Sequence, residues 1–330
     1  MVTRLPARLP AGSVLVVTEE MDPTADLVVD ELTRRGAPVM RFNPGDFPQR
    51  VTLTADHHGG PWSGTLRDEH RSVRLEEVRA VYYRRPRLPS VADTIPEPHR
   101  TWANDQALAG LFGILYALPV WWLHRPEDDG PASHKPGQLP VAAALGLRTP
   151  RSLITNQPDA ARAFCASVGG PVICKPLMGG PLRHADGRRT GVPTHLIDPG
   201  DIDSSVALTA HLFQEWIPKQ HEVRLTVVGR RMFAAEIHAG SDAARVDWRS
   251  DYDALTYKVC EVPDTVRRGV LGWLGHFRLN FGAFDFAVTP SGDWVLFECN
   301  PSGEWSWIQK ETGLPIAAAV AEHLTEGTRT

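Results

Sequence analysis

Residues 281–303 read FGAFDFAVTPSGDWVLFECNPSG. Apolar residues fill both flanks of a Ser291-Gly292 turn pair, so the pattern predicts a hairpin of strands Gly282–Thr289 and Trp294–Glu298. Asp285 interrupts the first strand with a charge. Residues two apart on a strand share a face, so Glu298 and Asn300 project together, and pairing of the strands lets Asp285 join them. A solvated strand end is the plainer reading of these carboxylates. It sits poorly beside Phe284, Phe286, Val295 and Phe297, which mark a buried sheet where an unpartnered carboxylate is costly. Two carboxylates and one amide oxygen are hard ligands suited to Mg²⁺, which keeps water and shares phosphate oxygens.

Upstream, Leu212–Ile217 (LFQEWI) reads as a strand ending at Pro218, with a backbone edge left free. Glu222–Val228 and Arg231–Ile237 pair around Gly229-Arg230, which predicts a second hairpin. Further back, PVICKPLMGG places Lys175 at the end of an apolar strand, Pro171–Lys175. A loop over Leu177–Gly191 follows, with Gly179, Gly180, Gly187 and Gly191 and with Arg183, Arg188 and Arg189. Glycines let a backbone close over phosphates, and a lysine supplies a point charge. The Walker A order is absent. Lys135–Gly146 and Pro158–Val168 are predicted helices, the second capped by Gly169-Gly170. Arg125–Gly137, rich in proline and glycine, has the composition of a linker.

The N-terminal third predicts α/β architecture. Ser13–Thr18 is a buried strand, Asp22–Arg35 a helix with Gly36 at its C-terminus, and Pro38–Phe42 the next strand, an order that implies parallel pairing. Val51–Leu53, Trp62–Leu66 and Val73–Leu75 read as a small meander. Ala80–Tyr83 runs into Arg84 and Arg85, and Pro86–Pro98 is a loop. Trp102–Leu118 is a helix followed by a strand at Val120–Leu123. The uncharged stretch Ala107–Leu123 is broken by Pro119 and short of a span, so it reads as buried rather than membrane-crossing. A terminal helix is predicted over Pro315–Leu324. The division expected is 1–124, 125–211 and 212–330.

Composition excludes other classes. The 330 residues are 42% hydrophobic and 22% charged, with net charge −4, so bulk charge does not drive binding to nucleic acid. The cysteines Cys165, Cys174, Cys260 and Cys299 form no C-x-x-C pair or zinc spacing, as expected of reduced thiols in a cytoplasmic protein. Arg4 and Arg8 precede too short an apolar run for a signal peptide. No G-x-S-x-G or H-E-x-x-H is present.

The order Lys135, Lys175, glycine loop, Gln214-Glu215-Trp216-Ile217, Glu222, Asp285, Glu298-x-Asn300 resembles the ATP-grasp superfamily. The resemblance implies an N-terminal α/β lobe, a central lobe and a C-terminal lobe. ATP is held by Lys135, Lys175, Gly179 and Gly180 at the phosphates. Residues 214–217 present backbone to adenine, and Glu222 meets the ribose. Asp285, Glu298 and Asn300 hold Mg²⁺.

A narrower resemblance rests on Ala80–Pro86 (AVYYRRP), Ile217–Gly229 (IPKQHEVRLTVVG), Phe233–His238 (FAAEIH), Asp247-Trp248-Arg249 and Glu298–Trp305 (ECNPSGEW). These look like the graspetide synthetases related to the microviridin ligases, most of all the ester-forming actinobacterial members. Glu222 departs from the aspartate usual there but keeps a carboxylate. The resemblance implies transfer of the γ-phosphoryl group to a side-chain carboxylate of a ribosomal precursor, then ring closure by Thr or Ser. Arg224, with Arg249 as a second candidate, clamps the transferred group. Arg84 or Arg85 meets an acidic residue of a Thr/Ser/Asp/Glu-rich core. The hairpin Glu222–Ile237 and the loop to Arg249 dock the leader, with Asp247 beside it and Trp248, Trp305 and Trp307 as apolar walls. A homodimer is expected by the same analogy. Two other readings stay open: a ligase for free amino acids or protein C-termini, and a non-catalytic nucleotide- or peptide-binding module.

Overall fold

The computed structural model describes residues 7–180 and 182–327. Arg4 lies outside the described residues. Apolar β-branched runs build the first sheet. Ser13–Val17 sits between Val39–Phe42 and Val78–Tyr83, with Trp121–Trp122 at the far edge, all parallel. Asp22 caps helix Pro23–Arg34, its side chain accepting the Ala25 N–H. Helix His99–Ala117 buries Ala107, Leu111, Phe112 and Leu115. No helix of the described residues is long and apolar enough to cross a membrane. The expected meander is present as antiparallel Thr52–Asp56, Ser63–Arg67 and Arg71–Arg74.

The middle of the chain folds around antiparallel strands in the order His195–Ile197, Val172–Lys175, His211–Glu215, Ser152–Thr155. This corrects one expectation. His211–Glu215 is internal, because Ser152–Thr155 covers the edge expected to be free. The glycine-rich segment is not wholly irregular, since Leu182–Arg183 pairs with Arg189–Thr190. The side chains of Arg183 and Arg189 lie outside the described residues. The expected linker is also more ordered than its composition suggests. Pro126–Ser133 is helical, with Pro126 in the first turn and Glu127, Asp128 and Asp129 beside it. Proline and acidic residues both suit a helix start.

The C-terminal sheet is antiparallel throughout, in the order Leu255–Val259, Arg231–Ala239, His221–Val228, Phe281–Val288, Trp294–Asn300. Helix Asp264–His276 packs on it and buries Trp273. Its glycines obscure it in the sequence. They permit close packing: a Cβ on Gly269 would lie 2.5 Å from a Leu147 methyl. The first and last sheets share a core, in which Val14, Val28 and Leu32 meet Phe233, Trp305 and Val320.

One buried side chain fixes the outer strand of the C-terminal sheet. Gln138, on helix Lys135–Ala144, accepts from Cys299 N–H at 2.9 Å and donates to Cys299 C=O at 2.7 Å. It reproduces the ladder of a missing strand. Gln138→Leu leaves both backbone groups buried without partners, and should lower stability by roughly 2–4 kcal/mol. The denaturant midpoint measures this. An unchanged midpoint refutes the clamp.

Candidate active site

The hairpin at 281–300 brings its polar residues into one row. Arg224 pairs with Asp285 across one strand boundary, and Asp285 with Glu298 across the next. Arg224 Nη1 donates to both Asp285 oxygens, at 2.6 and 2.7 Å. Asn300 lies two residues beyond Glu298, and its amide nitrogen is 3.4 Å from one oxygen of each carboxylate. A half-turn of that amide presents Oδ1 instead. Three oxygen donors thus converge, and the set fits Mg²⁺.

Cations make this burial tolerable. Lys135 Nζ stands 3.0 Å from Glu298 Oε2 and donates to the Pro176 C=O at 2.9 Å. Burial opposes ionisation of Glu298, but Lys135, Lys175 and Arg249 outweigh it and hold the carboxyl at about 2. Burial pushes Asp285 upward, Arg224 pulls it back, and Glu298 adds to the rise. Lys175 is buried and brought down to about 8, by desolvation first, then by the charges of Lys135 and Arg249 against the pull of Glu298.

These groups line a cleft of about 380 Å³. Lys135, Lys175, Gly179 and Gly180 face it. Gln214, Trp216, Ile217 and Glu222 line it too, as do Asp247, Trp248 and Arg249. Asp247 Oδ1 accepts from Arg249 Nε at 2.9 Å, and its Oδ2 accepts from Thr194 N–H at 3.1 Å. Asp247 is buried, yet Arg249 keeps its carboxyl below the usual range.

The expected hinge is narrower than its motif. Gln214 is fully buried and donates to Ser152 Oγ at 2.8 Å. The Glu215 carboxylate accepts from Arg151 N–H at 3.2 Å and does not line the cleft. Trp216 N–H donates to Pro171 C=O at 3.0 Å. Among the described residues the Ile217 N–H has no backbone partner. It is the one backbone donor of the hinge left for a ligand, and the Trp216 indole N–H is likewise without a partner among the described residues.

The comparisons with known proteins agree with this geometry. The family model described as "MvdD pre-ATP grasp domain" matches residues 13–129. A RiPP-associated ATP-grasp ligase of Chryseobacterium gregarium, solved with ADP and with leader and core peptide, is 26% identical. The match covers 96% of this chain and 98% of that one, with TM-score 0.88. The macrocyclase MdnC of Microcystis aeruginosa, solved with precursor peptide MdnA, is 28% identical over 96% of this chain and 100% of its own, TM-score 0.83. MdnB of the same organism is 29% identical over the same shares, TM-score 0.79. The comparison with curated proteins finds no match. The chain is an ATP-grasp ligase, akin in sequence and fold to the graspetide maturases.

Beside the nucleotide cleft of the ligase lies a second hollow of about 420 Å³. Trp248, Arg249 and Asn300 line both, and Arg85, Arg224 and Trp307 belong to the second. Arg84 is a correction. Its side chain is 2% exposed, donates to Asp22 at 2.8 Å and pairs with Glu304. It ties the N-terminal segment at Asp22 to the residues after the C-terminal hairpin. Arg85 is half exposed, with Nη2 donating to the Ser302 C=O at 3.1 Å and Nη1 3.4 Å from Glu304 Oε2. Trp305 is also a correction: it is fully buried in the core and forms no wall. Arg224 Nη2 donates to the Glu304 C=O at 2.8 Å, so both terminal nitrogens are engaged and the guanidinium acts first as the counter-ion of Asp285.

Sequence reading missed Lys219. Its ammonium donates to Glu222 Oε1 at 2.6 Å and sits 5.5 Å from the Phe297 ring, with Lys175 at 5.6 Å from the same ring. Burial pushes Glu222 up, and Lys219 draws it down again. A buried carboxylate three residues after a lysine was the available signal. Lys219→Ala removes this counter-ion, so burial acts on Glu222 with less opposition and should weaken it as an acceptor for a ribose hydroxyl. The expected result is a KM for ATP raised about tenfold, the worth of one charge-assisted hydrogen bond, with a smaller change in kcat. Steady-state kinetics at varied ATP decide it, and an unchanged KM rejects the assignment.

Proposed function

We propose that this ligase closes side-chain-to-side-chain rings in a ribosomally made precursor peptide, joining Asp or Glu carboxylates to Thr or Ser hydroxyls as ω-esters. The observation that carries the reading is the adjacency of two hollows. A lysine-flanked cleft with three converging oxygen ligands opens beside an arginine-lined hollow, and the two share Asn300 and Arg249. Nucleotide phosphates suit the first and a peptide carboxylate the second. The similar proteins from Chryseobacterium and Microcystis were solved with peptides of the corresponding kind.

On this reading ATP lies with adenine at Ile217, ribose at Glu222 and phosphates at Lys135 and Lys175. Asp285, Glu298 and Asn300 hold Mg²⁺, which when bound neutralises the phosphate charge. Arg85 draws the acidic side chain into the second hollow. Its carboxylate oxygen attacks the γ-phosphorus, the bond to the β-phosphate oxygen breaks, and ADP leaves. Arg249 forks onto the transferred group. The hydroxyl oxygen then attacks the acyl carbon, phosphate departs, and the hydroxyl proton passes to solvent. The loop over Gly179 and Gly180 excludes water, which would hydrolyse the acyl phosphate. Residues 1–124, 125–211 and 212–330 form the three working parts. The Trp248 and Trp307 rings, 4.9 Å apart, form an apolar wall for the peptide.

The decisive assay is mass spectrometry of a precursor encoded beside the ligase, incubated with ATP and Mg²⁺. Loss of one water per ring supports the proposal, and cleavage of the rings by mild base identifies esters. A mass gain from an added amino acid favours the amino-acid ligase, and binding without ADP release favours the non-catalytic module. Glu298→Gln should cut ADP release by roughly 10²–10³-fold while the circular dichroism spectrum is kept. Arg85→Ala should raise the KM for precursor about tenfold and leave the KM for ATP unchanged. Equal effects on both substrates reject the peptide role.

A further inference from the structure

His221, Glu236 and His238 gather on the hairpin that carries Glu222 and Arg224. Glu222 pairs with Ile237, which sets His221 and His238 at the next opposed positions. Side chains alternate along a strand, so Glu236 shares the face of His238, while Glu222 and Arg224 lie on the opposite face, Glu222 in the first cleft and Arg224 in the second hollow. His238 Nε2 lies 2.8 Å from Glu236 Oε2, and the two imidazole rings are 5.0 Å apart. One ligand atom from each residue lies within 4.8 Å of the other two.

We propose that His221, Glu236 and His238 form a second metal site, for a divalent transition-metal ion of the zinc type. Two imidazoles and a carboxylate are a zinc donor set, whereas magnesium prefers oxygen. Ligands held tetrahedrally at ~2.1 Å stand about 3.4 Å apart. The His238–Glu236 pair, at 2.8 Å, opens slightly and the wider separations, all under 4.8 Å, close toward that value with side-chain turns. All three residues are half-buried, which limits competition from water without sealing the site. Lys258 lies opposite Glu236 on the adjoining strand and is exposed, so it swings clear. The ion would bridge the two strands of the hairpin and leave one coordination position open.

Cobalt(II) is the probe. The full chain is titrated in excess Mg²⁺, which competes for the oxygen ligands in the nucleotide cleft, and visible d–d absorption is followed. The expected result is one equivalent bound at micromolar concentration and displaced by zinc. Glu236→Gln and His238→Ala should each weaken binding at least about tenfold, as loss of a ligand does, and Glu298→Gln should leave it unchanged. Melting curves without metal check that each variant folds. If His238→Ala fails to fold, the near-isosteric Glu236→Gln decides. No cobalt band in the wild type, wild-type affinity in Glu236→Gln, or loss of the band in Glu298→Gln each overturns the site.

Discussion

Two carboxylates side by side inside a protein repel each other and resist leaving water. The ligase keeps Asp285 and Glu298 together by giving each its own cation, Arg224 on one and Lys135 on the other. Much of the architecture follows from that need. The antiparallel register sets Arg224 opposite Asp285. Helix Lys135–Ala144 must lie against the outer strand to deliver Lys135, and Gln138 on the same helix holds it there. The Arg224 guanidinium reaches on to the Glu304 backbone, and Glu304 pairs with Arg84 of the first sheet. The charge network therefore continues the apolar core that joins the lobes.

The hairpin was legible because its information is local. Alternation, the Ser-Gly turn and the single charge in FGAFDF set its strands and its donor residues. The parallel opening of the chain was legible for the same reason. The hinge was not. Its covering strand, Ser152–Thr155, lies far upstream, and nothing within LFQEWI reports a distant partner. Helix Asp264–His276 escaped notice because its glycines answer to Leu145 and Leu147, not to helix propensity. Arg84 and Arg85 look alike in sequence, but only Arg84 meets the buried Asp22 carboxylate, a partner sixty-two residues upstream that the local motif does not report.

Cation placement was the least legible part. Lys219 and Lys175 approach one phenyl ring, Phe297, and each is drawn to a different carboxylate. A sequence names candidates for such a cluster but not the geometry by which an aromatic face separates two like charges.

The bond from Thr194 to Asp247 has a wider meaning. Thr194 follows the glycine segment, and Asp247 also grips Arg249, which lines both hollows. One carboxylate thus holds the segment after the glycines through Oδ2 and Arg249 through both oxygens. Anything that orders the segment at Thr194 therefore acts on Arg249 as well, and by thermodynamic reciprocity whatever holds Arg249 acts back on that segment.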